Sequence, residues 1–297
     1  MSKLRQLMLR ELQLRHYSTR TIESYISSLV AISRYYNQSP SNLTTDQIKD
    51  YLLYLIEHKH ASRAMVNQSI SALKLLWVSV LGRPWEDMNI KRPRCSHELP
   101  VVFSKDEVAK LLSKTRNLKH RTCLSLGYSA GLRVSEVCNL KLSDIDCTRM
   151  QIRVFHGKGS KTRYVPLAQN LIGLLDEYIH FYEPQNFFFE GKTKGKAIST
   201  ETLGVIIRRS LRNAGIEKKA SFHTLRHSYA THLLEQGVNL KAIQQLLGHS
   251  SLRSTSIYLH VQDLSKLDIK SPFVTIRLHT SCDELQGGLS FATKKTC

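Results

Sequence analysis

The sequence predicts a mainly α-helical chain of two domains with one small antiparallel β-sheet. Apolar residues recur at helical spacing through the first 90 residues and again beyond residue 104. Only Met150–Phe155 and Arg163–Leu167 read as strands, the first by alternation and the second by its short β-rich run. A basic, proline-bracketed stretch without periodicity, Ile90–Pro100, separates the two helical regions. A chain of 297 residues is long enough for two domains and can bury cores without disulfide or metal staples.

The elements follow in order. Ser18–Tyr36 places Ile22, Tyr25, Ile26, Leu29 and Val30 on one helical face, with Ser18 or Thr19 as N-cap. Asn37–Ser41, containing Pro40, breaks it. Thr44 and Gln47 have capping-box spacing before Ile48, Tyr51, Leu52 and Leu55. A further helix spans about Ser62–Leu81 and ends at Gly82-Arg83-Pro84. The first 90 residues therefore form four short helices with Lys and Arg on their polar faces. Ser104 and Glu107 repeat the capping-box spacing and open the second domain, where Val108, Leu111, Leu112 and then Cys123–Tyr128 continue the helical pattern. The two strands flank the turn Gly157–Lys161 and form a hairpin. Helices resume over about Ala168–Tyr182, Thr200–Ala214, His223–Gln236 and Leu240–Leu247. The expected organisation is a helical domain over 1–89, a linker over 90–100, a second domain over 101–268 and a tail over 269–297.

Lys and Arg number 43 against 24 Asp and Glu, a formal charge of +19. That excess favours a polyanionic partner through counterion release and long-range steering. Six cysteines at 95, 123, 138, 147, 282 and 297 contain no Cys-x-x-Cys pair, so neither a disulfide framework nor a zinc knuckle is indicated. Cys123, in an apolar string, reads as a small core residue. There is no hydrophobic signal core and no apolar stretch of ~20 residues, which predicts a cytosolic, reducing compartment and no membrane partner.

Six polar residues in the second half stand out: Arg133, Lys158, His223, Arg226, His249 and Tyr258. They lie in Ala130-Gly-Leu-Arg-Val-Ser-Glu136, Gly157-Lys-Gly-Ser-Lys-Thr-Arg163, His223-Thr-Leu-Arg-His227 and Leu247-Gly-His-Ser-Ser251, the last running on to Ile257-Tyr-Leu-His-Val261. These strings, in this order and spacing, resemble the tyrosine recombinase (phage integrase) family, which includes the Xer recombinases and integron integrases. The resemblance covers residues 1 to about 265.

Read from the residues, Arg133 stands at a helix start with Glu136 one turn on. A guanidinium can hold two phosphate oxygens at once, and a plain surface Arg–Glu pair is the alternative. His223 and Arg226 share a helical face. His227 is also one turn from His223, but a His-Glu-x-x-His zinc pattern needs Glu where Thr224 stands, and Arg226 would repel the metal. No metal is expected, and His227 reads as a packed or hydrogen-bonded structural histidine. Lys158 sits at a glycine-flanked turn, with Lys161 as its rival. Tyr258 is a phenol of pKa ~10 that needs help to attack, and His223 is the general-base candidate. Tyr229 and Tyr164 are lesser candidates for nucleophile.

The resemblance implies more. The N-terminal half would be a SAM-like core-binding domain that clasps DNA, and the C-terminal half an α+β catalytic domain. Tyr258 would form a 3′-phosphotyrosyl bond while Lys158 protonates the leaving 5′ oxygen. Arg133, Arg226 and His249 would stabilise the phosphate, Glu136 would orient Arg133, and Lys161, Arg163, Arg92 and Arg94 would contact DNA. No cofactor, metal or ATP is implied. The partners are double-stranded DNA recombination sites, and the protein would be monomeric when free and a homo-tetramer in the synaptic complex, associated with a bacterial nucleoid. The expected role is recombination for a mobile genetic element. The alternatives are resolution of chromosome or plasmid dimers, type IB topoisomerase-like relaxation, and a non-catalytic DNA-binding regulator. Val261, Leu264 and Leu267 form an apolar stripe suited to docking on a neighbouring protomer or to internal packing. The tail beyond residue 268 does not match a compact family member.

Overall fold

A computed structural model describes residues 3–85, 90–93, 99–155 and 162–261. The chain divides into two compact units, residues 1–98 and 99–297. No helix among the described residues is long and apolar enough to cross a membrane.

The first unit contains helices α1 (Lys3–Leu14), α2 (Thr19–Tyr36), α3 (Thr45–Glu57) and α4 (Arg63–Leu75). Side chains close three of their N-termini. Ser18 Oγ accepts from the Thr21 N–H, Ser62 Oγ accepts from the Met65 N–H, and Thr44 and Gln47 bond reciprocally as a capping box. Asn37 ends α2 in the left-handed conformation at φ 49°. The helix expected to reach Leu81 stops at Leu75 and continues as a π-helical turn over Leu76–Val80, with Leu76 and Trp77 buried. Met8, Leu12, Ile32, Ile48, Ile70 and Leu73 fill the core. Each such side chain contributes roughly 1.5–3 kcal/mol of burial.

The second unit opens with α5 (Lys105–Lys114), whose N-terminus carries the Ser104–Glu107 capping box. It continues through α6 (Leu118–Ser129), α7 (Val134–Asn139), strands β1 (Ile145–Asp146), β2 (Gln151–Val154) and β3 (Arg163–Pro166), then α8 (Ile172–Tyr182), α9 (Thr200–Asn213), α10 (Phe222–Glu235), α11 (Leu240–Leu247) and α12 (Arg253–Ser256). A 3-10 turn over Ile257–His260 follows. The strands pair antiparallel in the order β1-β2-β3, with Ile152 opposite Val165 and Val154 opposite Arg163. β1 is two residues long, too short to show an alternating pattern in sequence.

α6 and α10 run through the core. Cys123, Leu124 and Leu126 of α6 are fully buried, and burial pushes the Cys123 thiol up, as befits an inert core residue. A Cβ at Gly127 would lie 2.5 Å from the Phe222 ring, so glycine is what lets α10 approach so closely. Ser228 of α10 accepts from the Phe103 N–H at 2.9 Å and donates to the Thr224 carbonyl, tying α10 to the start of the unit. This packing brings the start of α7, the first turns of α10, the end of α11 and the 3-10 turn into one neighbourhood.

Candidate active site

A single carboxylate organises the site. Glu136, on α7, is buried and accepts from the Arg133 backbone N–H at 2.8 Å and from Arg133 Nη1 at 2.9 Å. Arg163 grips the same carboxylate with two bonds, Nη1 to Oε1 and Nη2 to Oε2, both 2.8 Å. Arg226 Nη1 stands 3.8 Å from Oε2. Burial pushes the Glu136 carboxyl up, but the hydrogen bonds and charge of Arg163, the Arg133 N–H and the Arg226 charge outweigh it and bring it down to about 2. Three guanidiniums against one carboxylate leave a formal surplus of two positive charges.

Arg226 is wholly buried on α10, where an unsatisfied cation would be costly. Its Nη1 donates to the Gly131 carbonyl at 2.7 Å and its Nη2 to the Leu247 carbonyl, while Nε has no partner. Burial, then the Arg133 charge, pushes its pKa down to about 9, so it remains a cation at neutral pH. Gly131 makes the approach possible. It holds φ +59°, and a Cβ there would lie 2.4 Å from the Tyr229 ring.

The guanidiniums also grip the end of α11. Arg163 Nε donates to the Leu246 carbonyl at 2.7 Å, Arg226 to Leu247, and Arg133 Nη2 to Gly248 at 3.1 Å. These successive carbonyls are the negative end of a helix, where cations are favoured. Gly248 caps α11 at φ 63° and turns the chain to deliver His249. His249 Nδ1 is hydrogen-bonded to Thr255 Oγ1 at 3.0 Å. Burial and the Arg226 and Arg133 charges push its imidazole down to about 4, which leaves it neutral at pH 7.

Tyr258 is 1 % exposed, its ring packed among Tyr229, Ala230, Leu234, Ile243 and Leu247. Its hydroxyl is not in apolar surroundings, for it bonds His227 Nδ1 at 3.0 Å. The His249 ring lies nearly parallel at 6.5 Å. Burial raises the phenol pKa, and the Arg226 and Arg133 charges oppose the rise. His227 is held down to about 4 by burial, then by His223 and Arg226, so it too is neutral. His223 touches His227 edge-on at 4.7 Å and is lowered by burial and by the Arg226 and Arg133 charges.

Five of the six expected groups thus converge: Arg133, His223, Arg226, His249 and Tyr258. Lys158 lies outside the described residues, as do Lys161 and Arg94. Arg92 is exposed in the first unit.

Two expectations need correcting. Arg163, expected to face DNA, is turned inward, because the alternation of β3 puts it on the buried face with Val165 and its donors are spent on Glu136 and Leu246. The Tyr258 hydroxyl is bonded not to His223 but to His227, one turn further along α10. The first difference could have been found by extending the strand alternation to Arg163. The second joins residues 31 apart in sequence and has no local signal. Of the lesser nucleophile candidates, Tyr164 is 58 % exposed on β3, and Tyr229 is pressed against Gly131 in the core.

Comparison with known proteins finds relatives along most of the chain. The model of the phage integrase family matches residues 102–264, and the model of the phage integrase N-terminal SAM-like domain matches residues 4–87. A tyrosine recombinase of Thermosipho africanus is 36 % identical over 266 residues, covering 86 % of this chain and 93 % of that protein. Tyrosine recombinase XerA of Pyrococcus horikoshii is 33 % identical over 253 residues, covering 84 % and 86 %. The crystal structure of XerH site-specific recombinase bound to a palindromic difH substrate shares the fold, with TM-score 0.70 and 24 % identity over 84 % of this chain and 79 % of that one. With both halves matched and relatives of this identity spanning most of its length, the chain belongs to the phage integrase family, the tyrosine recombinases.

Proposed function

We propose that this protein is a site-specific DNA recombinase that cuts and rejoins strands by transesterification, with Tyr258 as the nucleophile. The observation that carries the assignment is the Tyr258 hydroxyl bonded to the neutral His227 ring at 3.0 Å, within the field of Arg226 and Arg133. A phenol needs a proton acceptor within hydrogen-bond reach, and a phosphodiester needs surplus positive charge around it. Both are present.

The Tyr258 oxygen attacks phosphorus and passes its proton to His227 Nδ1. The bond from phosphorus to the 5′ oxygen breaks, and that oxygen takes a proton from Lys158. A 3′-phosphotyrosyl bond and a free 5′-hydroxyl result. Rejoining reverses these steps with a 5′-hydroxyl from a partner strand, and Tyr258 leaves with the proton held on His227. One phosphodiester replaces another of similar energy, so the exchange balances without an external energy source. Arg133, Arg226 and His249 hold the non-bridging oxygens. Thr255 occupies His249 Nδ1, which leaves Nε2 to donate to the phosphate. His223 stands beside the same oxygens. Burial, His223 and the Arg226 charge hold His227 down, and the negative charge of the bound phosphodiester offsets the Arg226 part, which raises its basicity when substrate is in place.

Arg92, Arg94 and Lys161 contact the DNA backbone in this reading, and a free monomer assembles into a tetramer that pairs two sites. In this reading the recombination serves a mobile genetic element. The test is a nicked suicide substrate that traps protein on its 3′ end. Wild type forms the adduct, Tyr258→Phe binds the same DNA without forming it, and peptide mapping places the phosphate on Tyr258. An adduct on the Phe variant sinks the assignment.

A further inference from the structure

We infer that Arg163 is a positioning residue for strand cleavage: it holds Glu136 and the end of α11 so that Arg133, Arg226 and His249 stay aimed at the phosphate. The inference rests on the reading of those three residues as the phosphate site. Arg163 itself is withdrawn from substrate. Its side chain is 8 % exposed, and its guanidinium makes three bonds to protein, two on the Glu136 carboxylate and one on the Leu246 carbonyl.

Glu136 meets three guanidiniums, and where it leans decides how much positive charge reaches the phosphate. Arg163 engages both carboxylate oxygens in the fork geometry that fixes a carboxylate's plane, which an ammonium cannot reproduce. Without it, the carboxylate is free to turn onto Arg133 and Arg226 and to neutralise the two groups that must face substrate. The formal surplus of the cluster also falls from two charges to one.

The second attachment acts on geometry. Leu246, Leu247 and Gly248 present successive carbonyls to Arg163, Arg226 and Arg133. Of these three anchors Arg163 alone has no phosphate to serve, so it can hold α11 and the His249 turn while the other two arginines engage substrate. It thereby joins β3, α7 and α11, three segments that are distant in sequence.

The test times adduct formation on the suicide substrate at saturating DNA for wild type, Arg163→Met, Arg163→Lys and the double variant Arg163→Met/Glu136→Gln. Binding is measured alongside over a range of salt concentrations. The single-turnover rate of Arg163→Met falls on the order of 100-fold, the scale set by small misplacements of catalytic groups. Its Kd and salt slope match wild type. Arg163→Lys is intermediate, and the double variant is no slower than Arg163→Met because both changes act through one carboxylate.

A saturated rate equal to wild type overturns the inference. So does a defect confined to binding, with the salt slope shallower by about one, which marks a DNA-backbone contact. Should Arg163→Met fail to fold by circular dichroism, Arg163→Lys decides: cleavage at the wild-type rate overturns the inference, and slower cleavage with unchanged Kd supports it. Tyr258→Phe runs in parallel. An adduct on that variant means the site reading itself has failed, whatever Arg163 does.

Discussion

At the scale of single residues, the proposed chemistry rests on neutral histidines among buried cations. His227 lies one turn beyond His223 and bonds the Tyr258 hydroxyl, so the acceptor is the imidazole deeper in the packing. Its pKa is lowered to about 4, which means that it loses its acceptor lone pair only when pH approaches 4. The acidic limb of kcat/KM for adduct formation, which reports the free enzyme, therefore lies near 4 and not near the ~6.5 of an ordinary histidine. His227→Ala removes the acceptor and slows adduct formation by roughly 10²–10⁴-fold, the usual worth of a positioned base. Rapid-quench kinetics across roughly pH 3.5–8 check both outcomes.

At the scale of elements, the site depends on chain reversals that only certain residues can make. The turn between α6 and α7 runs through Gly131 at φ +59°, and its carbonyl accepts from Arg226. Gly131→Ala places a methyl in left-handed backbone, which costs about 1–2 kcal/mol, and drives it into the Tyr229 ring. Total destabilisation above ~2 kcal/mol is expected in urea titration, with a loss of cleavage rate at saturating DNA that exceeds any loss of affinity. Gly248 reverses the chain at the other end of the site, immediately before His249. The strand β3 completes the frame. Its two inward residues are Val165, which packs in the core, and Arg163, which anchors Glu136.

At the scale of the whole molecule, the same groups tie stability to pH. His227 and His249 are held down to about 4, and Glu136 to about 2. Each folded-state pKa is below its unfolded value, so the unfolded chain binds protons first as pH falls. The histidine contribution is complete above ~6.5 and is lost between there and about 4. The Glu136 contribution is complete above ~4.3 and is lost as pH falls toward about 2. Denaturant midpoints of wild type should decline through both windows. Glu136→Gln should show a shallower lower decline, with Glu107 and Glu190 still contributing to it, while starting about 3–5 kcal/mol less stable at neutral pH, because three buried or half-buried guanidiniums lose their shared counterion.

The sequence by itself determined the helical class, the hairpin strands and the capping boxes at Ser104 and Thr44, because these are local and periodic. It also singled out the arginines, histidines and tyrosine, since each sits in a short string of recognisable chemistry. The tertiary structure alone decided which imidazole meets the Tyr258 hydroxyl and which guanidinium grips Glu136. Those partners are 31 and 27 residues apart, and although the alternation of β3 turns Arg163 inward, the group met across such a separation is fixed by tertiary packing, which no local pattern encodes.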